Sequence, residues 1–152
     1  IINIESTVGV GTKIIIKLPL TLAIIPGMIV KVKEQPIVIP LNTVLEVLRV
    51  HRENIYSVNQ KPVIKMRDSV LPLVSVEERL FGFEEKDENK IWQYVVVVGI
   101  AEKRYGIKVD GLVGQKEVVI KSLGNYFGST IMGDGSVVMI VDVNELLHYA
   151  GI

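Results

Sequence analysis

Apolar residues occur in short runs that charged residues, glycine or proline interrupt, and in many places Val and Ile alternate with charged side chains. Many short strands with turn residues at short intervals are typical of an all-β protein. The run from Tyr94 to Ala101 is rich in β-branched residues and too short for a membrane helix, so it is predicted to be a buried strand. Strands are predicted over residues 13–17, 28–33, 36–40, 44–50, 62–66, 70–75, 91–101, 104–112, 117–123 and 137–141.

Helices are expected to be few. Asp142 and Glu145 match the two ends of a capping box, which predicts one short C-terminal helix that ends near residue 150. A shorter helical turn is expected after Pro40, with Asn42 as its cap.

Residues 84–90 are the most polar stretch of the chain, and we interpret them as a solvated loop between two halves of a β domain. The halves carry a weak repeat, because residues 32–39 and 100–107 share the pattern of strand, charged turn and strand, with the second turn at 102–104. Residues 133–135, Gly-Asp-Gly, predict a further hairpin turn. Two similar barrels would produce this repeat, and so would chance in a chain this rich in Val and Ile. Short strands in closed barrels hide their edges.

The composition disfavours several classes of function. Seventeen Lys and Arg residues balance seventeen Asp and Glu residues, so the net charge favours neither nucleic acid nor an anionic membrane as a partner. The absence of cysteine excludes disulfides, thiol nucleophiles and Cys-ligated zinc. No apolar run approaches the roughly 18 to 20 residues that span a bilayer, and the first residues do not resemble a signal peptide. We therefore expect a cytoplasmic fragment without direct membrane insertion.

Few residues show a pattern typical of catalysis. His51 and His148 are far apart, so a metal site or a catalytic triad would require the fold to gather distant residues. Residues 9–12, Gly-Val-Gly-Thr, could cradle a phosphate, but a strand pattern follows them instead of a helix, which favours a hairpin turn. Residues 111–114 are expected to form a glycine bend. The chain alone is predicted to be non-catalytic, with an oligonucleotide-binding β-barrel protein and a small β-barrel enzyme as alternatives.

Five segments, at 9–24, 40–44, 71–74, 105–115 and 131–137, share one resemblance. In the same order, they resemble the C-terminal part of chemotaxis histidine kinases of the CheA family. Residues 9–24 resemble the last glycine box and final strand of the kinase ATP-binding domain, running directly into the next domain. Four further segments resemble the CheW-like regulatory domain that ends these kinases, namely 40–44, 71–74, 105–115 and 131–137. The resemblance covers essentially the whole chain.

This resemblance implies an all-β fold of two five-stranded SH3-like barrels packed side by side, with a short C-terminal helix. Residues 1–20 would end the ATP-binding domain, and residues 21–152 would form the CheW-like domain, divided near 84–90. The implied function is that of a regulatory and scaffolding domain in two-component signal transduction. It would bind the CheW adaptor and chemoreceptor tips at membrane receptor arrays in the cytoplasm, and pass receptor state to the kinase through residues 18–25.

The resemblance also implies roles for individual residues. In the family the glycine box closes the nucleotide pocket, so Gly9, Gly11 and Thr12 would be the remnant of an ATP site that functions only in the intact kinase. The fragment alone is expected to need no cofactor, since ATP and magnesium belong to the intact kinase.

Interface residues follow by analogy with the CheW-like pattern. Receptor contacts are expected at Glu46, Val47, Arg67 and Asp68. Adaptor contacts are expected at Leu45, Leu48, Val113, Val118 and Ile120. For each aliphatic residue, a place in a barrel core is the alternative interpretation.

Overall fold

The computed structural model of the protein describes residues 1–17, 23–82, 89–122, 127–131 and 137–149, and β-strands dominate this part of the chain. The strands are β1 (Ile2–Thr7), β2 (Gly11–Ile16), β3 (Ala23–Val32), β4 (Gln35–Pro40), β5 (Val44–His51), β6 (Ile55–Val58), β7 (Lys61–Lys65), β8 (Val70–Ser75), β9 (Trp92–Ile100), β10 (Lys103–Val109), β11 (Gly111–Ser122), β12 (Phe127–Ile131) and β13 (Val137–Val141). The helices are α1 (Val76–Phe81) and α2 (Val143–Tyr149). Neither helix in this described part is long and apolar enough to cross a membrane.

Five strands close into a barrel in the order β11-β12-β13-β4-β3. β3 and β4 form an antiparallel hairpin, β3 also pairs antiparallel with β11, and β4 pairs parallel with β13. The barrel strands share a core formed by Ile29, Val38, Val118, Val138 and Ile140. Closure pairs each strand of the barrel with two neighbours, so an exposed sheet edge is avoided.

The second unit is a six-stranded sheet in the order β5-β9-β10-β8-β7-β6. β9 and β10 form an antiparallel hairpin, and β10 pairs parallel with β8. The sheet has a core of its own, formed by Val50, Ile64, Leu71, Leu73, Val95 and Val97. This unit has one strand more than the five expected, because β6, which the sequence analysis did not predict, pairs with β7.

A further core joins the barrel to the six-stranded sheet. It contains side chains from β3, β4, β9, β10 and both helices. Val95 and Val97 pack in the core of the sheet, whereas Val96 and Val98 pack in this shared core. β9 is therefore buried on both faces, which explains why its apolar run is continuous and does not alternate with polar residues. The predicted all-β class, with two β units side by side and a short C-terminal helix, is confirmed.

The polar stretch at 84–90 does not divide the two units, contrary to the prediction. The barrel combines β3 and β4 with β11, β12 and β13, while the six-stranded sheet consists of the strands between them. The chain thus crosses from the barrel to the sheet after β4 and returns after β10. The physical reason is long-range pairing, since β11 pairs with β3 along most of its length. Residues 84–88 lie outside the described residues.

The weak sequence repeat has a structural counterpart. The hairpins β3–β4 and β9–β10 occupy the same place in each unit, because the second strand of each pairs parallel with a strand that leads into a helix. These helix-linked strands are β13 before α2 and β8 before α1. The turn of the second hairpin lies at 101–102 instead of 102–104, because Lys103 already belongs to β10. The predicted turn at 133–135 lies outside the described residues.

Side-chain caps begin both helices. At α2 the backbone N–H of Glu145 donates to Oδ1 of Asp142 at 3.2 Å, which confirms the predicted cap. At α1, which was not predicted, the N–H of Glu78 donates to Oγ of Ser75 at 3.1 Å, and Gly82 ends the helix with a φ of 79°. The spacing of Ser75 and Glu78 is that of a capping box, so this signal was present in the sequence.

The helical turn expected after Pro40 is a 3-10 turn over Leu41–Thr43. Its first capping position is Pro40, without a side-chain hydrogen bond, so Asn42 lies inside the turn and is not the cap that the sequence suggested. The hydroxyl of Thr43 donates to the carbonyl oxygen of Pro40 at 2.7 Å and closes the turn.

Candidate functional site

The pairing of β5 with β9 contains a β-bulge at Leu45. The register shifts between Val44 and Glu46, so Leu45 has no opposite residue in β9. Leu45 is 54% exposed, and part of its side chain lies over Gly99, where an added Cβ would stand 2.9 Å from Cδ1 of the leucine. Gly99 thus leaves room for Leu45 on the sheet, while much of the leucine faces solvent.

The pairing of β11 with β3 contains the corresponding bulge at Val113. The register shifts between Leu112 and Gly114, and Val113 is 55% exposed. β11 and β5 are equivalent, because each pairs with the first strand of one of the repeated hairpins. Bulges redirect side chains and are common beside functional sites. Two predicted adaptor-contact residues, Leu45 and Val113, are therefore exposed at equivalent positions of the two units.

The other predicted adaptor-contact residues are placed differently. Val118 is 3% exposed and belongs to the barrel core, with Cγ2 beside Gly27 of β3, so its prediction as a surface contact is corrected. Leu48 is half-buried against the core of the six-stranded sheet. The side chain of Ile120 lies outside the described part of the chain.

The predicted receptor-contact residues fall into two groups. Glu46 is exposed and Val47 is half-buried against the shared core, both in β5. Arg67 and Asp68 are exposed in the bend between β7 and β8. β5 is the first strand in the order of the sheet, whereas β8 and β7 are the fourth and fifth. Three of the four residues therefore offer charged side chains to solvent, one in β5 and two in the β7–β8 bend.

A cationic and aromatic cluster at the end of β5 was not predicted. The guanidinium of Arg49 lies 4.5 Å from the ring centroid of Trp92, and the ring of His51 meets the same indole edge-on at 5.1 Å. Nδ1 of His51 accepts the backbone N–H of Glu53 at 3.2 Å and caps the 3-10 turn over Arg52–Asn54. The lone tryptophan of the sequence was the one signal for this cluster.

Asp110 lies at the corner between β10 and β11 and accepts two hydrogen bonds through its carboxylate. Oδ2 accepts the backbone N–H of Lys33 at 2.6 Å, and Oδ1 accepts the ammonium of Lys90 at 2.7 Å. Partial burial alone would raise the pKa of Asp110, but these two donors and the charges of both lysines hold it below its usual value. The carboxylate is therefore ionised at neutral pH.

The predicted glycine box forms the turn of the N-terminal hairpin. Gly9 and Gly11 adopt φ values of 80° and 146°, and the hydroxyl of Thr12 lies 3.1 Å from that of Ser6. The hairpin of β1 and β2 pairs with no other strand of the described residues. Across the same residues, no group of three His, Asp or Glu side chains is placed to hold a metal ion.

Comparisons with known proteins point to one family. A family model described as the CheW-like domain matches residues 26–151. The sensor histidine kinase CheAY of Helicobacter pylori is 45% identical over 99% of this chain, and the chemotaxis protein CheA of Treponema pallidum is 42% identical over 97%. The chain spans only 19% of the length of each of these relatives.

A solved structure shares the fold. The scaffolding protein TtCheW from Thermoanaerobacter tengcongensis superposes with a TM-score of 0.63 at 17% identity, covering 78% of this chain and 89% of that one. At this level of identity the likeness concerns the fold alone.

Proposed function

The chain belongs to the family of CheW-like domains, and on this premise we propose that it binds a CheW-type adaptor and chemoreceptor tips and couples receptor state to a histidine kinase. The domain itself is a non-catalytic module of chemotaxis signalling, related to the CheA kinases. The family match favours neither an oligonucleotide-binding barrel nor a barrel enzyme.

The observation that carries the adaptor proposal is the pair of equivalent bulges. Leu45 and Val113 each expose an aliphatic side chain at the same place in a repeated unit. We expect an adaptor with the same kind of fold to offer two such places as well, so that one unit of the chain can dock against the non-equivalent unit of the adaptor. A contact of this head-to-tail type leaves the other unit of each partner free and can repeat into a ring or an array.

The receptor proposal rests on exposed charged side chains in β5 and in the β7–β8 bend. Glu46 follows Leu45 directly in β5, while Arg67 and Asp68 are exposed in the bend before β8. Charged side chains at the rim of an interface contribute to selectivity and association rate more than to affinity. A receptor contact at Glu46 would lie next to the adaptor contact at Leu45. Kinase, adaptor and receptor would then meet in cytoplasmic arrays at the membrane.

The N-terminal hairpin is proposed to be the end of the kinase ATP-binding domain, with a domain boundary near residue 20. Ile2 pairs with Ile16 and Ile4 with Ile14, so these four exposed isoleucines share one face. A preceding part of the kinase would cover such a face. Gly9, Gly11 and Thr12 would then belong to its nucleotide site, with ATP and magnesium bound only by the intact kinase.

The adaptor contact is tested with Leu45→Asp and Val113→Asp in binding measurements with a purified CheW-type adaptor. Each substitution places a carboxylate where we propose that an aliphatic side chain is desolvated, so we expect the affinity to fall about tenfold or more. Val58→Asp is the matched control, since Val58 is 51% exposed outside the bulges, and it should bind as the unmodified chain does. Equal affinities for all four proteins would exclude the bulges as the contact.

The receptor contact is tested with Arg67→Glu against a soluble receptor-tip hairpin. Reversal of a charge at the rim of an interface should weaken binding about tenfold, mainly through slower association. Arg104→Glu reverses an exposed charge at the start of β10 and should leave binding unchanged. If both variants lose affinity equally, net charge determines binding and Arg67 is not a specific contact.

A further inference from the structure

Asp110 occupies the corner at which the chain leaves the six-stranded sheet and returns to the barrel. β10 ends at Val109 and β11 begins at Gly111, so Asp110 is the single residue between them. Its backbone N–H donates to the carbonyl oxygen of Lys31 at 2.8 Å, and the next residue, Gly111, pairs with Lys31. The pairing of β11 with β3 therefore starts at this corner.

The carboxylate of Asp110 ties this corner to the turn of the β3–β4 hairpin. Lys33 and Glu34 form that turn with φ values of 49° and 64°, a conformation that glycine and asparagine adopt more readily. The backbone N–H of Lys33 donates to Oδ2 of Asp110 at 2.6 Å, a short hydrogen bond to a charged acceptor. Lys90, just before β9, holds the other oxygen. Asp110, which belongs to none of the barrel strands, thus stabilises the unfavourable turn.

The side chain of Lys33 extends the connection to α1. Its ammonium lies 3.2 Å from the carboxylate of Glu77 and 5.1 Å from the ring centroid of Phe81. The side chains of Lys33 and Glu77 are 26% and 12% exposed, so this ion pair is partly shielded from solvent. The β3–β4 turn of the barrel therefore contacts α1 of the other unit at the same point where it contacts the β10–β11 corner.

The corner lies three residues before the Val113 bulge. Gly111 and Leu112 pair in register with Lys31 and Val30, and the register shifts immediately afterwards. The pairs at the start of β11 determine which residue is left unpaired in the bulge. A slip of one position would turn every later side chain of the strand to the other face.

We propose that Asp110 is a positioning residue for the exposed Val113 bulge, acting through its bond to the Lys33 turn and locking the barrel to the six-stranded sheet. The binding role of Val113 rests on the proposed function, whereas the positioning by Asp110 does not. Amide hydrogen exchange can test the positioning without any partner.

The test compares amide exchange in Asp110→Asn and in the unmodified chain at neutral pH. Removal of the charge from the acceptor should accelerate exchange at Lys33 about tenfold, and the same variant should accelerate exchange around the bulge, from Gly111 to Gly114. Glu102→Gln makes the same carboxylate-to-amide change in the exposed β9–β10 turn and should leave both sites unchanged. Lys90→Met should give a smaller acceleration, and Lys90→Arg should restore protection.

Acceleration at both sites supports the proposal, and unchanged exchange at either site would overturn it. Adaptor affinity measured on the same proteins reports separately on the proposed function. If the unmodified chain fails to bind the adaptor, the proposed function fails, while the exchange result still decides the role of Asp110.

Discussion

Replacing Val118 by Asp should unfold the barrel, whereas the same change at Val113 should leave the protein folded. Val118 is 3% exposed in the barrel core, so a carboxylate there must be buried without a partner or protonated. Either outcome costs at least about 4 kcal/mol, which is close to the whole stability of a domain at the lower end of the usual range of about 5–15 kcal/mol. Urea unfolding followed by circular dichroism measures the difference directly.

Val113→Asp serves as the matched control, because Val113 is a valine of the same strand that is already exposed. Its unfolding free energy should stay within about 1 kcal/mol of the unmodified chain. If Val118→Asp unfolded at the same urea concentration as the unmodified chain, its burial in the barrel core would be contradicted. A loss of adaptor binding in Val118→Asp therefore reports unfolding, and only the Val113 variant reports a contact.

Leu146→Ala should destabilise both units together. Leu146 lies in α2, is fully buried and belongs to the core shared by the barrel and the six-stranded sheet. Removal of a buried leucine side chain costs about 2–5 kcal/mol, depending on how far the cavity collapses. Leu112→Ala removes the same atoms from a residue that is 44% exposed and should cost less than about 1 kcal/mol.

The measurement uses two probes of urea unfolding. Fluorescence of Trp92, the only tryptophan of the chain, reports on the six-stranded sheet. Amide exchange in β3 and β4 reports on the barrel. A shared core predicts that both probes shift by the same free energy in Leu146→Ala. A shift confined to the barrel would show that the two units unfold independently.

Local sequence patterns predicted the positions of the strands better than the pairing between strands. The apolar run around Val95–Val98 predicted a buried strand correctly, because a strand that is buried on both faces needs no polar positions. β6 was missed because its residues, Ile-Tyr-Ser-Val, form too short a run between polar residues. The pairing of β11 with β3 has no local signal at all, since the two strands are far apart in the chain. The predicted division at 84–90 failed for this reason.

The site shows the same limit at the level of single residues. Leu45, Val113 and Val118 are all aliphatic residues that the sequence could place either on the surface or in a core, yet two are exposed and one is buried. A bulge shifts the alternation of inward and outward side chains by one position, so a simple count along the strand assigns the faces wrongly. Gly114, beside the bulge in β11, was the one hint in the sequence.

The chain passes from the barrel to the sheet after β4 and returns to the barrel after β10. This path has a consequence for the order of events during synthesis on the ribosome. The six strands of the sheet, β5 to β10, are contiguous in the chain. The barrel, in contrast, needs β11, β12 and β13 to pair with the β3–β4 hairpin, which is synthesised much earlier. Ile29 and Val38 of that hairpin stay uncovered until the later strands emerge. Chains emerge from their N-terminus, and contacts between distant segments form late. The barrel, together with the Val113 bulge, is therefore completed last, when the nascent sheet already offers a surface on which it can close.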